Sequence, residues 1–458
     1  MTRKFDAIIV GAGQAGPPLA GRLTAAGQTV AVIERKLVGG TCVNYGCIPT
    51  KTLVASAHTA HVARRGAEYG IGTGEVTVDI AKVKARKDAV MLDDRHGVES
   101  WLAGMKGCTL IRGHARFEGP HTIRVDDEVL EADRIFLNVG GRAVVPNIPG
   151  LSDVDYLTNV GILDLDVLPE HLVIIGGSYI ALEFAQMYRR FGARVTVLEK
   201  GPRLTAREDE DVSAAIKDIL EAEDIEVHVG ATSMRIIKRG NGFDLYPRDG
   251  AEPVSGTHLL VATGRTPNTG DLGCAAGNVA VDAQGRIVVD ERYETSEPGV
   301  FAAGDCVPGP QFTHVSWDDH RVLFDLLTGR PARKRTDRVV PYTVFTDPQV
   351  AGVGLSEAAA RARGFEIEVA TMPFGNIARA IETDETAGVV KIVLDAKTER
   401  LLGVSVVGVD AGELVHVFSV LMQAGASARA IVDGEFAHPT FAEGMQTALM
   451  KLPRYALS

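Results

Sequence analysis

Short apolar runs alternate with amphipathic stretches along the first two thirds of the chain, a rhythm that predicts parallel strands joined by helices. The run Ala7–Val10 leads directly into a glycine-rich turn. After a stretch of helical pattern, a second apolar run, Val30–Ile33, ends at the acidic residue Glu34. This order of strand, glycine turn, helix and strand predicts a βαβ unit near the amino terminus.

The same pattern returns later in the chain. Leu172–Ile175 leads into a second glycine turn, and the run Val195–Leu198 ends at Glu199. In both copies the acid follows the first glycine at the same distance, which is the spacing of units that bind dinucleotides. Two such sites fit a protein that passes electrons between two nucleotide cofactors.

The glycine turns supply what a bound pyrophosphate needs. In Gly11–Gly16 the first glycine permits a tight turn, a small second residue lets the backbone approach, and the start of the helix offers N–H groups. In Gly176–Ala181, Ser178 and Ala181 stand at glycine positions, but both are small. A glycine-rich turn without a ligand stays open as the alternative for each copy.

From about Thr336 the pattern changes. Val339–Phe345, Gly388–Leu394 and Leu401–Val407 are typical of strands in an antiparallel sheet, and Gly412–Ala424 is typical of a helix packed on it. We therefore expect a third, α+β domain, which agrees with the roughly three domains that a chain of this length suggests.

Composition narrows the function classes. Apolar residues make up 45% of the chain, enough for real cores, and a net charge of −11 disfavours nucleic acid or an anionic membrane as a partner. No apolar run reaches the roughly 18 residues of a membrane span, and the first run is too short for a signal peptide. We expect a cytoplasmic protein.

Five cysteines can form too few disulfide bonds to stabilise a chain of this length, so a disulfide-based scaffold is excluded. Cys42 and Cys47 lie close together, and such a pair in a reducing compartment indicates catalysis or metal binding. His58 and His61 follow downstream and leave a zinc site open as the alternative. The segment Ile48–Lys51, which directly follows the pair, favours a redox role.

Several motifs identify a resemblance when they are taken in order with the two glycine turns. They are the cysteine segment Gly39–Lys51, then Val261–Asn268, Thr295–Asp305 and His438–Glu443. The chain resembles the flavin-dependent pyridine nucleotide–disulfide oxidoreductases, the class that contains dihydrolipoamide, glutathione and mercuric reductases. The resemblance covers nearly the whole chain.

The resemblance implies an α/β fold with two Rossmann-like dinucleotide-binding domains, for FAD and NAD(P), and a carboxyl-terminal α+β dimerisation domain. We expect an FAD-binding domain in residues 1–147 and 271–335, an NAD(P)-binding domain in 148–270 and a dimerisation domain in 336–458. The implied FAD-binding residues are Gly11, Gly13, Gln14, Ala15, Gly16, Glu34, Gly40, Thr41, Lys51, Gly264 and Asp305. Those implied for NAD(P) are Gly176, Ser178, Tyr179, Ile180, Glu199 and Gly264.

By the same resemblance, a hydride passes from nicotinamide to flavin, and two electrons then reduce a Cys42–Cys47 disulfide. Cys47 is the sulfur next to the flavin, and Cys42 is the interchange thiol that attacks substrate. Because the thiolate is the nucleophile, we expect the pKa of Cys42 to be lowered by a nearby base and by a helix that begins near the pair. Gly46 lets the chain distort between the two cysteines.

Other residues take their roles from the resemblance as well. His438 is the general acid–base and Glu443 orients it. This dyad reaches the cysteines of the other subunit, which implies a homodimer. Lys51 pairs with Glu183 near the reactive flavin nitrogen, and Tyr179 covers the flavin until nicotinamide displaces it. No resident metal is implied.

The acid at the end of the second unit bears on the choice of nicotinamide. Glu199 accepts a 2′-hydroxyl and repels a 2′-phosphate, so NADH is favoured. Lys200, Arg203 and Arg207 follow closely, and mercuric reductases generally use NADPH, so the alternative stays open.

Within the class, the chain looks closest to the mercuric-reductase-like branch, on the segments Leu260–Thr269, Val344–Val350 and Ala411–Leu414. Three departures put mercury reduction in doubt. The expected cysteine pair near the end of the chain and a metal-binding domain ahead of Phe5 are missing from the sequence. His438 stands where mercuric reductases usually have tyrosine.

The leading hypothesis is a flavoenzyme that reduces a small disulfide or another oxidised sulfur compound with reduced nicotinamide. Dihydrolipoamide oxidation and mercuric ion reduction are alternatives. So is reduction of hypothiocyanous acid, which the segment Gln311–Asp319 suggests by its likeness to a reactive-chlorine-resistance branch. An alternative from a different functional class is a redox sensor or a subunit of a larger complex.

Overall fold

A computed structural model describes residues 2–331 and 333–456. The first elements along the chain are β1 (Thr2–Val10), α1 (Gly16–Ala25), β2 (Val30–Glu34), α2 (Gly40–Tyr45), α3 (Cys47–Arg65), α4 (Ile80–Gly104), β3 (Cys108–Arg112), β4 (Ala115–Gly119), β5 (Thr122–Val125), β6 (Glu128–Leu137) and β7 (Gly141–Ala143).

The central elements are β8 (Tyr156–Leu157), β9 (His171–Ile175), α5 (Tyr179–Phe191), β10 (Arg194–Glu199), α6 (Glu210–Ala222), β11 (Ile225–Val229), β12 (Arg235–Arg239), β13 (Gly242–Tyr246), β14 (Val254–Gly256), β15 (His258–Val261), β16 (Arg265–Pro267), β17 (Val300–Ala302) and α7 (Thr313–Leu327). The last are β18 (Pro341–Val344), β19 (Gln349–Gly354), α8 (Glu357–Ala362), β20 (Ile367–Pro373), α9 (Ala378–Glu382), β21 (Val389–Asp395), β22 (Leu401–Gly408), α10 (Ala411–Gln423), α11 (Arg429–Val432) and α12 (Phe441–Met450).

Two parallel sheets carry the predicted βαβ units. In the first, β1 lies between β2 and β6, β3 and β17 extend the parallel part, and β4 and β5 add an antiparallel edge. In the second, the parallel order is β11-β10-β9-β15-β8. The α/β class and both βαβ units are therefore confirmed.

The third large sheet is antiparallel, in the order β18-β19-β22-β21-β20. Three of its five strands, β18, β21 and β22, match the predicted segments to within a few residues. Helix α10 packs on this sheet beside a core that includes Val404, Val406, Val415 and Phe418. The predicted α+β carboxyl-terminal domain is confirmed in class.

Apolar side chains on both faces explain why the parallel strands are continuous apolar runs. Along β1, Ile8 and Val10 belong to one buried cluster, and Ala7 and Ile9 belong to a second. Successive side chains of a strand point to opposite faces, so a fully buried strand has no polar positions.

The chain divides into two compact units. The first contains residues 1–53, 81–144 and 264–338, and the second contains residues 54–80, 145–263 and 339–458. The finer boundaries expected from the sequence stay a prediction.

Candidate active site

The two cysteines stand at a break between helices in the first unit. Helix α2 ends at Tyr45, Gly46 has a backbone conformation that is neither helical nor extended, with φ −143° and ψ −117°, and α3 begins at Cys47. A Cβ at Gly46 would lie 3.0 Å from the Thr41 carbonyl oxygen, so the turn has little room for a side chain. The chain therefore distorts at Gly46, where the sequence predicts it, and a helix begins at Cys47.

The two side chains contact each other as thiols rather than as a disulfide. The hydrogen bond to Cys47, together with burial, raises the pKa of the Cys42 thiol well above its ordinary value. The expectation of a lowered pKa for Cys42 is therefore wrong for a single chain, because a second sulfur beside the thiol disfavours another negative charge. Any base that activates Cys42 must remove its proton despite this raised pKa.

Thr313 is a partner of the pair that the sequence did not single out. A hydrogen bond of 2.8 Å joins its Oγ1 to Cys47 Sγ, and either atom can be the donor. Thr313 is the first residue of α7. It lies within the segment that suggested hypothiocyanous acid, but no sequence rule connects this residue with a cysteine so far along the chain.

The first glycine turn forms a cradle with no room for side chains. A Cβ at Gly11 would lie 2.2 Å from the Asn138 carbonyl oxygen, and one at Gly16 would lie 2.3 Å from the Gly11 carbonyl oxygen. A Cβ at Gly40 would lie 2.8 Å from Gly13 Cα. The buried Nδ2 of Asn138 has no hydrogen-bond partner beside this turn.

The acid at the end of β2 is held by the backbone. Glu34 Oε2 accepts the Ala12 N–H at 2.9 Å, and Oε1 accepts the Lys36 N–H at 2.8 Å. A carboxylate fixed in this way beside a glycine turn is in place to accept hydroxyl groups of a ribose. The remaining predicted residues of this site, Gln14, Ala15 and Thr41, lie on the turn or on α2.

Asp305 follows β17 in the same unit. Burial raises the pKa of its carboxyl, and the Arg265 guanidinium, 3.6 Å away at Nε, partly opposes that rise. Arg265 also donates to the Gly141 carbonyl at 2.6 Å, yet its Nε is buried without a hydrogen bond. Gly264, with φ +129°, turns the chain just ahead of this arginine.

The second glycine turn, in the second unit, repeats the arrangement. Gly176 has φ +120°, and a Cβ there would lie 2.4 Å from the Ala262 carbonyl oxygen. Glu199 Oε1 accepts the Gly201 N–H at 2.6 Å, and its Oε2 lies beside Gly177. Ser178 precedes the first turn of α5, which begins with Tyr179 and Ile180.

Arg203 lies in the loop after Glu199. It donates to the carbonyls of Ala206 and Glu208 at 3.3 Å each, and its buried Nε has no partner. The Thr205 hydroxyl is also buried without a partner. This loop therefore combines a carboxylate with unsatisfied donors next to the second turn.

Lys51 and Glu183 fall in different units, and their pairing stays a prediction. Glu183 is buried, and its Oε1 accepts the Phe345 N–H at 2.9 Å. Tyr179 is half-buried on α5, as a residue that covers a ligand requires.

His438 and Glu443 form a hydrogen-bonded pair. The two carboxylate oxygens of Glu443 lie 2.9 Å and 3.0 Å from His438 Nδ1, and the Thr440 hydroxyl accepts the Glu443 N–H at the start of α12. With Nδ1 engaged as donor, a neutral imidazole leaves Nε2 as the basic nitrogen. The histidine side chain is 71% exposed, so it stands open to a further partner.

Within residues 2–331 and 333–456, no group of three or more His, Cys, Asp or Glu residues could hold a metal ion, so the zinc alternative gains no support. His58 contacts Asp347 instead, at 2.7 Å. Among the helices that the structure describes, none is long and apolar enough to cross a membrane.

Comparisons with known families match both parts of the chain. Residues 5–319 match the family described as pyridine nucleotide-disulphide oxidoreductase, and residues 340–449 match the dimerisation domain of that family.

Individual relatives cover almost the whole chain. It is 37% identical to a probable pyridine nucleotide-disulfide oxidoreductase, RclA, of Escherichia coli, over 96% of this chain and 98% of the relative. It is 36% identical to a mercuric reductase of Acidithiobacillus ferrooxidans, over 97% and 82%. A solved Cu(II) complex of the HOCl-induced flavoprotein disulfide reductase RclA from Escherichia coli matches with a TM-score of 0.90 at 36% identity, over 98% of this chain and 100% of that one.

Proposed function

This chain belongs to the pyridine nucleotide-disulphide oxidoreductase family, and we propose that it is a homodimeric flavoenzyme that reduces a small oxidised sulfur compound with NADH. The observation that carries the proposal is the pair of contacting thiols, Cys42 and Cys47, at the break between α2 and α3. The pair lies in the same unit as the first glycine turn. A cytoplasmic location stays a prediction.

The residues present fit FAD. Gly11, Gly16 and Gly40 let backbone segments pack closely around the first turn, where any Cβ would clash with backbone, and the unpartnered Asn138 Nδ2 lies beside this turn. The residues named from the sequence would hold FAD, with Glu34 at the ribose and Asp305 at the ribityl chain. When bound, FAD accepts a hydride from reduced nicotinamide and makes two electrons available to a disulfide.

The thiol pair performs the exchange with substrate. The Cys42 thiolate attacks one sulfur of a disulfide and releases the first thiol of the substrate. Cys47 then attacks the Cys42 sulfur, which releases the second thiol and leaves a Cys42–Cys47 disulfide. The substrate gains two electrons and two protons, and the pair loses two electrons. Thr313 donates its hydroxyl hydrogen to the Cys47 thiolate when that thiolate forms.

His438 moves the protons. Because the neighbouring sulfur raises the pKa of Cys42, a base is required, and Nε2 of His438 can take the thiol proton and return it to the leaving thiolate. Glu443 holds the imidazole by Nδ1 and stabilises its protonated form. We propose that this histidine serves the cysteines of the partner chain, which the dimerisation domain supports.

Four further residues are assigned to the cofactors. We assign Lys51 and Glu183 to a charge pair that favours the electron-rich reduced flavin, and Tyr179 to a cover over the flavin. Glu199 is fixed by the Gly201 N–H and can accept the 2′-hydroxyl of NADH. The carboxylate of Glu199 would repel the 2′-phosphate of NADPH, so NADH is favoured. Arg203 offers that phosphate a hydrogen-bond donor and keeps NADPH open as the alternative.

The relatives leave several substrates open. RclA is described as HOCl-induced and as a disulfide reductase, which supports a disulfide or hypothiocyanous acid as acceptor. The mercuric reductases keep mercuric ion open, and dihydrolipoamide stays an alternative. We favour the oxidised sulfur compound because His438 supplies the acid–base that disulfide cleavage needs.

The test is a steady-state panel of disulfides, lipoamide, hypothiocyanous acid and mercuric ion, each run with NADH and with NADPH. We expect turnover with a sulfur acceptor and a kcat/KM at least about tenfold higher with NADH, which corresponds to ~1.4 kcal/mol. Cys42→Ser should lose at least about a thousandfold in kcat with disulfides, because it lacks the attacking thiol.

Cys108→Ser is the matched control, because Cys108 is a half-buried thiol in the same unit and should leave turnover unchanged. Turnover by Cys42→Ser at the wild-type rate would contradict the role of Cys42. A wild-type protein that reduces none of these acceptors would support the redox-sensor alternative.

A further inference from the structure

Helix α4 reaches the cysteine segment through an arginine. Arg95 Nε donates to the side-chain oxygen of Asn44 at 2.7 Å, and its Nη2 lies 3.9 Å from Met91 Sδ on the same helix. Asn44 lies on α2 between the two cysteines and is only 2% exposed. The contact therefore joins a charged residue of one helix to a buried amide inside the redox segment.

The side-chain amide of Asn44 forms hydrogen bonds with the backbone at the start of its own helix. Its Nδ2 donates to the carbonyl oxygens of Val38 and Gly40, at 2.9 Å each. Val38 precedes α2 and Gly40 is its first residue. A helix as short as Gly40–Tyr45 is not stable in isolation, so side-chain bonds of this kind determine how it is held.

The three hydrogen bonds fix the amide in one orientation. Both hydrogens of Asn44 Nδ2 are used by carbonyl oxygens, and Oδ1 accepts from Arg95. A reversed amide would set an oxygen against two carbonyl oxygens and an NH₂ group against a guanidinium. Without Arg95, the buried Oδ1 would lose its donor, and the clamp on α2 would be weakened.

We propose that Arg95 is a positioning residue for the interchange thiol: through Asn44 it holds α2 so that Cys42 faces Cys47. The inference rests on the proposed function, because it assigns the contact a part in thiol exchange. Held in this way, Cys42 donates its hydrogen to Cys47 and is ready to form the bridge after substrate has been attacked.

The arrangement has a measurable consequence for the reactivity of Cys42. Contact with Cys47 keeps the Cys42 thiol protonated and its pKa high. A variant in which α2 is loosened lets Cys42 turn away from the second sulfur. Its thiol then ionises more easily and reacts faster with small electrophiles, while exchange with Cys47 becomes slower.

The experiment compares wild type with Arg95→Met. Fully reduced protein is treated with iodoacetamide at pH 7.5, and modification of the Cys42 peptide is followed by mass spectrometry. We expect alkylation at least about fivefold faster, since a larger thiolate fraction reacts faster. NADH-dependent turnover with a disulfide should fall at least about tenfold in kcat, with the KM for NADH unchanged, because the reacting sulfurs are misplaced.

Three further single variants and one double variant separate positioning from general loosening. Arg86→Met is the matched control, because Arg86 is on the same helix and donates to the Thr52 carbonyl at 3.0 Å, on α3 rather than α2. Arg95→Lys keeps the charge and a donor and should recover part of the wild-type behaviour. Asn44→Ala should match Arg95→Met, and the double variant should show no added effect, because both changes break one contact.

Alkylation rates for Arg95→Met that equal those of Arg86→Met would overturn the inference. So would additive effects of Arg95→Met and Asn44→Ala. If Arg95→Met does not fold, Arg95→Lys and Asn44→Ala decide the question by the same two measurements. Alkylation needs no nicotinamide or acceptor, so a wild-type protein without disulfide turnover would contradict the proposed function and still allow the positioning role to be measured.

Discussion

Asp94 lies close enough to Cys42 for its negative charge to act on the thiol. That charge adds to the effects of Cys47 and of burial, and it raises the pKa of Cys42 further. Asp94 stands on α4 next to Arg95. A single turn of this helix thus acts on the segment around Cys42 in two ways, through the hydrogen bond from Arg95 to Asn44 and through the carboxylate of Asp94.

Removal of this charge should make Cys42 more acidic. In Asp94→Asn we expect the apparent pKa of Cys42 to fall, because one of the negative charges that raise it is removed. The thiolate fraction at neutral pH then rises, so alkylation at pH 7 becomes faster while the plateau rate at high pH stays the same. The measurement is the pH dependence of the alkylation rate of the Cys42 peptide.

Asp93→Asn provides the control, because Asp93 is an exposed carboxylate on the neighbouring position of α4. Its loss changes the net charge of the protein by the same amount. An equal shift in both variants would show that Asp94 acts only through net charge.

For individual residues, the sequence predicts the site residues that belong to a recognisable motif. It misses the residues that reach the site only through tertiary packing. His438 and Glu443 were expected to meet and do so at 2.9 Å. Thr313 and Arg95 were not identified, because each contacts the cysteine segment from another part of the chain. A threonine or an arginine inside a helix carries no local signal of such a contact.

Among the elements, the break at Gly46 decides where both cysteines stand. One continuous helix through Cys42 and Cys47 would hold their Cα atoms farther apart than the roughly 7 Å that a disulfide allows. The break avoids this by ending α2 at Tyr45 and starting α3 at Cys47. Glycine is needed because a side chain would press on the carbonyl of Thr41.

Two glycine-to-alanine changes in the first unit should have opposite effects on stability. Gly46→Ala should lower the free energy of unfolding by about 1–3 kcal/mol through the close contact with Thr41. Gly97→Ala, in the exposed interior of α4 with open space around it, should raise that free energy by about 0.5–1 kcal/mol. Denaturant unfolding of both variants measures the difference, and a stabilising Gly46→Ala would contradict the steric argument.

The elements with a strong apolar period were predicted well. The strands of both βαβ units and three of the five strands of the antiparallel sheet lie where the predicted apolar runs are, because a buried strand must be apolar on one or both faces. The antiparallel edge β4–β5 and the small sheet β12–β14 were not predicted. Their strands are short and mix charged with apolar residues, so the sequence pattern there is weak.

For the whole molecule, the sequence predicted the α/β class and the α+β carboxyl-terminal part, while the division into three domains stays a prediction because the chain divides into two compact units. It did not predict how the second unit is held together. Lys391 is 5% exposed and forms ion pairs with Asp209, Asp211 and Glu357, which raise its pKa to about 12. A buried ion cluster of this kind joins segments far apart in the chain, and charge patterns along the sequence do not reveal it.

The His438 imidazole is exposed, so it is accessible to a second chain. Whether the active site is shared between two chains can be tested by mixing two inactive variants. If each catalytic centre draws its cysteines from one chain and its histidine from the other, a hybrid of Cys42→Ser with His438→Gln contains one complete centre. Random reassociation of equal amounts should then restore about a quarter of wild-type turnover, since half of the dimers are hybrids with one working centre each. Equal amounts of the two variants that stay inactive after reassociation would place both halves of the chemistry within a single chain.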